Sequence, residues 1–137
     1  MSELVSLMMV LLLLAMVFGI VIFIAHVQPV KVLVTASARN CARAGIETLA
    51  AGRGLRQAQV TAVETARLGT AIDPDGLQVV TGTERDWGRG RVFFCEVGYG
   101  VRVDTLPMVA WFYPERAVPI RSRVSLSIEP YKSRWEE

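Results

Sequence analysis

The chain opens with one long apolar stretch, after which polar and apolar positions alternate with helical or strand-like periods. Residues 4–25 contain no charged side chain, and Glu3 lies immediately before them. An α-helix rises about 1.5 Å per residue, so roughly 20 residues cross a hydrocarbon core of about 30 Å. The stretch therefore predicts one membrane-crossing helix. It is longer and more uniformly apolar than the h-region of an ordinary cleaved signal peptide.

A second helical segment follows Pro29, at residues 30–51. Small and apolar side chains recur there at i, i+3 and i+4 spacing, which indicates one buried stripe. The members of the stripe are Val34, Ala38, Cys41, Ala42, Gly45 and Leu49. We expect this segment to extend the first helix into a rod of about 70 Å. The glycines Gly52 and Gly54 are expected to end the rod, and a second helix is expected at residues 55–68.

From residue 77 the hydropathy period changes from helical to two, which predicts strands at residues 77–81, 91–104 and 120–128. One face of the central strand carries Phe93, Cys95, Val97, Tyr99, Val101 and Val103. Prolines interrupt residues 107–119, so residues 108–113 are expected to form at most an edge strand or a hydrophobic loop.

The predicted fold is α+β. A long N-terminal apolar helix, serving as membrane span or filament core, continues into a small head with a second helix and a three- or four-stranded antiparallel sheet. We divide the chain into an apolar helix (residues 1–28), an extended amphipathic helix (29–54) and an α+β head (55–137).

The two cysteines, Cys41 and Cys95, lie outside the apolar stretch. They are compatible with one disulfide in an oxidising compartment or with two buried thiols. Both fall on the faces where helix and sheet are expected to meet, which favours the disulfide.

Composition and charge argue against several classes of function. Fifteen basic and thirteen acidic residues give a net charge of +2, without the basic stripe typical of a nucleic-acid-binding protein. The single histidine, His26, lies at the exit of the apolar stretch, where an interfacial anchor is a better interpretation than a metal ligand. Without a histidine in the head, no Ser/His/Asp or Cys/His pair can be assembled there. We predict no enzymatic activity, no cofactor and no metal site.

Several aromatic residues lie in predicted loops or near the C-terminus, where they indicate contact surfaces if they are not core residues. They are Trp87, Trp111, Phe112, Tyr113 and Trp135.

Three segments together resemble the TadE-like pseudopilins of the tight-adherence pilus system. The first is Glu3-Leu-Val-Ser followed by the leucine-rich run and Phe18-Gly-Ile-Val. The second is Cys41-Ala-Arg-Ala-Gly-Ile, and the third is the final strand ending in Ser127-Ile-Glu-Pro-Tyr. The resemblance covers most of the chain.

The resemblance implies a filament subunit whose apolar helices bundle into a core with the heads outside. In that core Glu3 would neutralise the N-terminal amine of a neighbouring copy, and Ala15, Phe18 and Gly19 would lie in the assembly helix, where small residues permit close packing. The implied partners are copies of this chain or other pilins, the inner membrane before assembly, a prepilin peptidase and the pilus assembly machinery.

The chain departs from the family in two ways. Family precursors carry a basic leader that is removed by the peptidase, and their glutamate lies a few residues further in. No basic residue precedes the apolar stretch here, whereas Lys31, Arg39 and Arg43 follow it. The positive-inside rule alone therefore puts the head in the cytoplasm, and a removed basic leader reverses that orientation. We expect the second arrangement, with the head outside the cytoplasmic membrane.

Two other functions remain open from the sequence. One is a permanent single-pass subunit of a secretion or envelope complex that binds partners through its head. The other is a membrane-tethered binding or enzymatic domain, which the shortage of polar site residues disfavours.

Overall fold

The structure is a computed structural model that describes residues 1–47, 50–69, 72–88 and 90–128. Its elements in chain order are α1 (Ser2–Ile46), α2 (Ala51–Arg67), a short 3-10 helix (Pro74–Gly76), β1 (Gln78–Thr83), β2 (Val92–Arg102), α3 (Val109–Phe112) and β3 (Ala117–Ser127). The three strands form one antiparallel sheet in the order β1-β2-β3. The predicted α+β class is confirmed.

Helix α1 is a single helix of 45 residues that continues through Pro29. Proline has no N–H group, so the main-chain oxygen of Ala25 lacks its usual helical donor at this point. Beyond Pro29 the predicted small-residue stripe is buried, and Leu49 lies outside the described residues. The buried residues of this half are Val30, Val34, Ser37, Ala38, Cys41, Ala42, Ala44 and Gly45.

The predicted end of the rod at Gly52 and Gly54 is wrong. Helix α1 ends at Ile46, and both glycines lie in the first turns of α2, where the Gly54 N–H group donates to the Ala50 oxygen at 2.8 Å. A glycine inside a helix costs only about 1 kcal/mol relative to alanine, and packing readily overrides that preference. Here Gly54 is itself buried against the rest of the molecule.

The core lies between α1, α2 and the sheet. Helix α2 buries its alanine face, and β2 buries alternate residues, as its period of two predicts. The buried residues of these elements include Ala58, Ala62, Ala66, Phe93, Cys95, Val97 and Val101. Strand β2 is central: Cys95 is opposite Thr81 of β1 on one side and Val124 of β3 on the other.

The segment at residues 108–113 is neither an edge strand nor an irregular loop, and it forms the helical turn α3. Met108 precedes it with a left-handed φ of 66°, and the Tyr113 N–H group donates to the Val109 oxygen at 2.9 Å. Pro107 and Pro114 flank the turn and cannot donate to a strand ladder, while fully buried Val109 fixes the turn to the core.

Candidate assembly and membrane-contact surface

The first turns of α1 carry large apolar side chains that the rest of the chain leaves uncovered. The large apolar side chains at residues 4–14 are 52–67% exposed. Among the described residues, α1 is the one helix long and apolar enough to cross a membrane. A continuous apolar surface of this extent requires cover by lipid or by other protein.

Glu3 lies in the first turn of α1 and is exposed. The N-terminal end of a helix carries a partial positive charge, so a carboxylate is favoured there as long as the end stays in water or among headgroups. Moved into a dry surrounding, the same carboxylate would need a cationic partner.

The residues predicted to take part in assembly do not share one exposed face. Phe18 is 60% exposed, whereas Gly19 is buried and Ala15 is half-buried. A Cβ atom placed on Gly19 would lie 3.4 Å from Cε1 of Phe112 and 3.5 Å from Cβ of Met108. The head of the same chain therefore already covers the small-residue face of the apolar helix.

An aromatic cluster joins α3 to α1. The ring centroid of Phe23 lies 6.2 Å from that of Phe112, edge to face, and 6.0 Å from that of Tyr113. Beside this cluster, α1 and α3 enclose a groove of about 250 Å³. Its lining is formed by Leu12, Ala15, Met16, Met108, Trp111 and Phe112.

Of the five aromatic residues predicted to form contact surfaces, the four that the structure describes fall into two places. Trp111 is 86% exposed and lies with Phe112 and Tyr113 next to the apolar helix. Trp87 is half-buried and packs edge-on against the buried ring of Phe93, with 5.5 Å between centroids. Trp87 thus belongs to the periphery of the core, and Trp135 lies outside the described residues.

Sequence reasoning missed Phe23 and Met108 as members of this surface. Both lie in apolar surroundings that give no local signal, and their contacts join segments far apart in the chain.

The predicted disulfide is confirmed. Cys41 of α1 and Cys95 of β2 are bonded, with 6.1 Å between their Cα atoms, and both are fully buried. The bond fixes the sheet to the second half of α1.

Polar groups form a rim where the head meets the apolar helix. His26, Tyr99, Val101, Arg102 and Thr105 line a shallow depression there. The guanidinium of Arg102 lies 2.9 Å from the Asp104 carboxylate, and this hydrogen bond lowers the pKa of Asp104 and raises that of Arg102.

Tyr113 belongs to the aromatic cluster, and its hydroxyl donates to the Glu115 carboxylate at 3.3 Å. Desolvation, followed by the charge of Glu115, raises the pKa of Tyr113 above its ordinary value.

Within the described residues, no three His, Cys, Asp or Glu side chains come together in a group that could hold a metal ion. Comparisons of the chain with protein-family models, curated proteins and solved structures found no match.

Proposed function

We propose that the protein is a structural, pilin-like subunit that assembles through its N-terminal apolar helix into an extracellular filament and performs no catalysis. The observation that carries this proposal is the exposure of the large apolar side chains at residues 4–14 of α1. Lipid covers such a surface in a membrane, and the same surfaces of other copies cover it in a helical bundle.

A bundle would give Glu3 a specific role. The carboxylate lies at the end of the apolar rod, so bundling of several copies would transfer it from water to a drier surrounding. A carboxylate in such a place requires an ionic partner. The N-terminal amine of a neighbouring copy is the cation that the pilin resemblance implies.

The head supports a location outside the cytoplasm. Disulfides persist in oxidising compartments, and Cys41–Cys95 holds the head to its helix. The protein would therefore be inserted first in the cytoplasmic membrane with the head outside, and would then pass into the filament. A prepilin peptidase and the pilus assembly machinery are the partners that this route requires.

One observation favours a second function, a permanent single-pass subunit of a secretion or envelope complex. The Gly19 face, which close helix packing between copies would use, is covered by Phe112 and Met108 of the same chain. In this alternative the rod stays in lipid and partners bind the head.

The experiment that separates the two functions is electron microscopy of material sheared from intact cells, with mass spectrometry of its protein. Filaments that contain this chain, with its apolar helices bundled in the core, would support the pilin. Recovery of all the protein in the detergent-extracted membrane would overturn it and favour the permanent subunit.

The role of Glu3 has its own test. We expect Glu3→Gln and Glu3→Ala to abolish or strongly reduce filament yield, because the charge that pairs with the neighbour is lost. Head folding and membrane insertion are expected to stay unchanged. The matched control is Glu64→Gln, which removes an exposed carboxylate from α2 and should leave the yield as in wild type. Wild-type yield in the Glu3 variants would refute charge pairing.

A further inference from the structure

The depth at which α3 contacts α1 has a consequence for how the head meets a membrane. The uncharged stretch ends at Ala25, and Gly19, the contact point of Phe112, lies roughly 9 Å before that end along the helix. The groove between α1 and α3 reaches further, to Met16 and Leu12. The turn therefore lies beside the part of α1 that a membrane would enclose.

The helix cannot be moved along the membrane normal to avoid this overlap. Residues 4–25 span roughly 33 Å as a helix, close to the thickness of a bilayer's hydrocarbon core. Glu3 bounds the stretch at one end and His26 at the other. If the turn were lifted into water, apolar residues of the rod would be lifted out with it.

The composition of the turn suits a lipid surrounding. Met108, Trp111 and Phe112 are 44%, 86% and 39% exposed, so the turn displays mainly apolar and aromatic surface. The N–H groups of Trp111 and Tyr113 are bonded inside the turn, to the oxygens of Met108 and Val109. Because these two N–H groups already have acceptors, they would not be left as unpaired donors if the turn entered hydrocarbon.

The polar rim and the apolar turn follow one another along α1, as headgroups and acyl chains do in a membrane. His26, Arg102 and Thr105 line one depression, and His26 lies roughly 10 Å beyond Gly19 along α1. Asp104 pairs with Arg102, and Arg116 is close enough to act on the charge of Asp104. Apolar surface followed by groups of both charge signs matches the order of acyl chains and zwitterionic headgroups in one leaflet. Tryptophan is itself enriched at this boundary.

We propose that residues 108–112 form a lipid-embedded anchor, inserted beside α1 into the leaflet on the side of the head, with phospholipid acyl chains filling the groove between α1 and α3. Amphipathic segments at interfaces bury their apolar faces about 5–10 Å below the headgroups, which agrees with the depth of Gly19. The inference rests on membrane insertion, which both functions proposed above share, and not on filament formation.

The test uses the full chain reconstituted in phosphatidylcholine vesicles. Trp87→Phe with Trp135→Phe leaves Trp111 as the only tryptophan. The control is Trp111→Phe with Trp135→Phe, which leaves Trp87. Trp87 packs on Phe93, which contacts α1 at Gly45, roughly 39 Å along the helix from Gly19. Emission is measured with lipids brominated in the upper half of the acyl chain or near its methyl end, and with acrylamide in the water.

We expect the fluorescence of Trp111 to be quenched most by lipids brominated in the upper half of the acyl chain. Lipids brominated near the methyl end should quench it less, and acrylamide should quench it little. Trp87 should show no loss to either brominated lipid. Quenching of Trp111 by acrylamide but not by brominated lipid would overturn the anchor. Protection from both would also overturn it, because a second copy would then fill the groove. Failure of the chain to float with the vesicles would overturn membrane insertion itself, and the inference with it.

Discussion

The hydroxyl group of Ser37 on α1 donates a 2.7 Å hydrogen bond to the main-chain oxygen of Ala62 on α2. Ser37 is fully buried, so the donor has no access to water. A second polar contact joins the same two helices, from the Asn40 amide to the Thr65 hydroxyl at 3.3 Å. The small residues of both helices bring their backbones close enough for these bonds, which fix how far one helix slides along the other.

We predict that Ser37→Ala lowers the free energy of unfolding of the head by about 1 kcal/mol, the net value of a typical hydrogen bond. The matched control is Thr35→Ala, which removes an exposed 2.8 Å bond from the Thr35 hydroxyl to the Lys31 oxygen of the same helix. Urea unfolding of the full chain in detergent micelles measures both. Equal losses in the two variants would contradict a bridging role for Ser37.

Removal of the disulfide should destabilise the head strongly. The bond joins residues separated by 54 positions. Closing a loop of this length is worth about 4 kcal/mol in the chain-entropy account. Urea unfolding is measured for two samples of the wild-type chain. One is oxidised, and the other is reduced while unfolded and then refolded in reductant. Coincident midpoints would contradict the expected stabilisation.

Glycine at position 45 is required by the ring of Phe93. A Cβ atom at Gly45 would collide with that ring, which is fully buried. We therefore expect Gly45→Ala to cost about 1–3 kcal/mol through overpacking.

The control for this substitution is Gly52→Ala, where an added Cβ meets nothing within 4 Å. It should stabilise the head by about 0.4–1 kcal/mol, because alanine has less backbone freedom to lose than glycine. Differential scanning calorimetry compares the two variants, and a stabilising Gly45→Ala would show that Phe93 can move aside.

The contact of α3 with Gly19 predicts a size limit at that position. Gly19→Ala should be accepted, since its Cβ would lie 3.4 Å from Phe112 and 3.5 Å from Met108. Gly19→Leu should displace α3 and shift Trp111 emission. Val17→Leu, at a position 58% exposed, is the control and should leave the emission unchanged. An unchanged Trp111 spectrum in Gly19→Leu would show that α3 does not pack there.

The helices, strands and disulfide could be predicted because their signals are local or follow from simple periodicity. Val34 and Cys41 repeat on one helical face, and Phe93 and Cys95 alternate along one strand. The two cysteines then lie where those faces meet. The predicted helix end at Gly52 failed because a local preference of about 1 kcal/mol is smaller than the packing of α2 on α1.

The candidate surface was predicted only in part. Trp111, Phe112 and Tyr113 could be chosen because large aromatics between prolines have no strand partners. Their contact with Gly19 and Phe23 could not be predicted, since hydropathy does not distinguish one position of the apolar stretch from another. Only the three-dimensional path of the chain after β2 brings α3 back to the first helix.

The Cys41–Cys95 bond also decides how the chain would respond to mechanical tension. Force applied between the apolar helix and the C-terminus would be transmitted from α1 to β2 through this covalent bond. The residues between the two cysteines, which include α2 and β1, carry none of the load. Roughly 180 Å of extended chain is thereby withheld from stretching, so a subunit under force would lengthen far less than its sequence length allows.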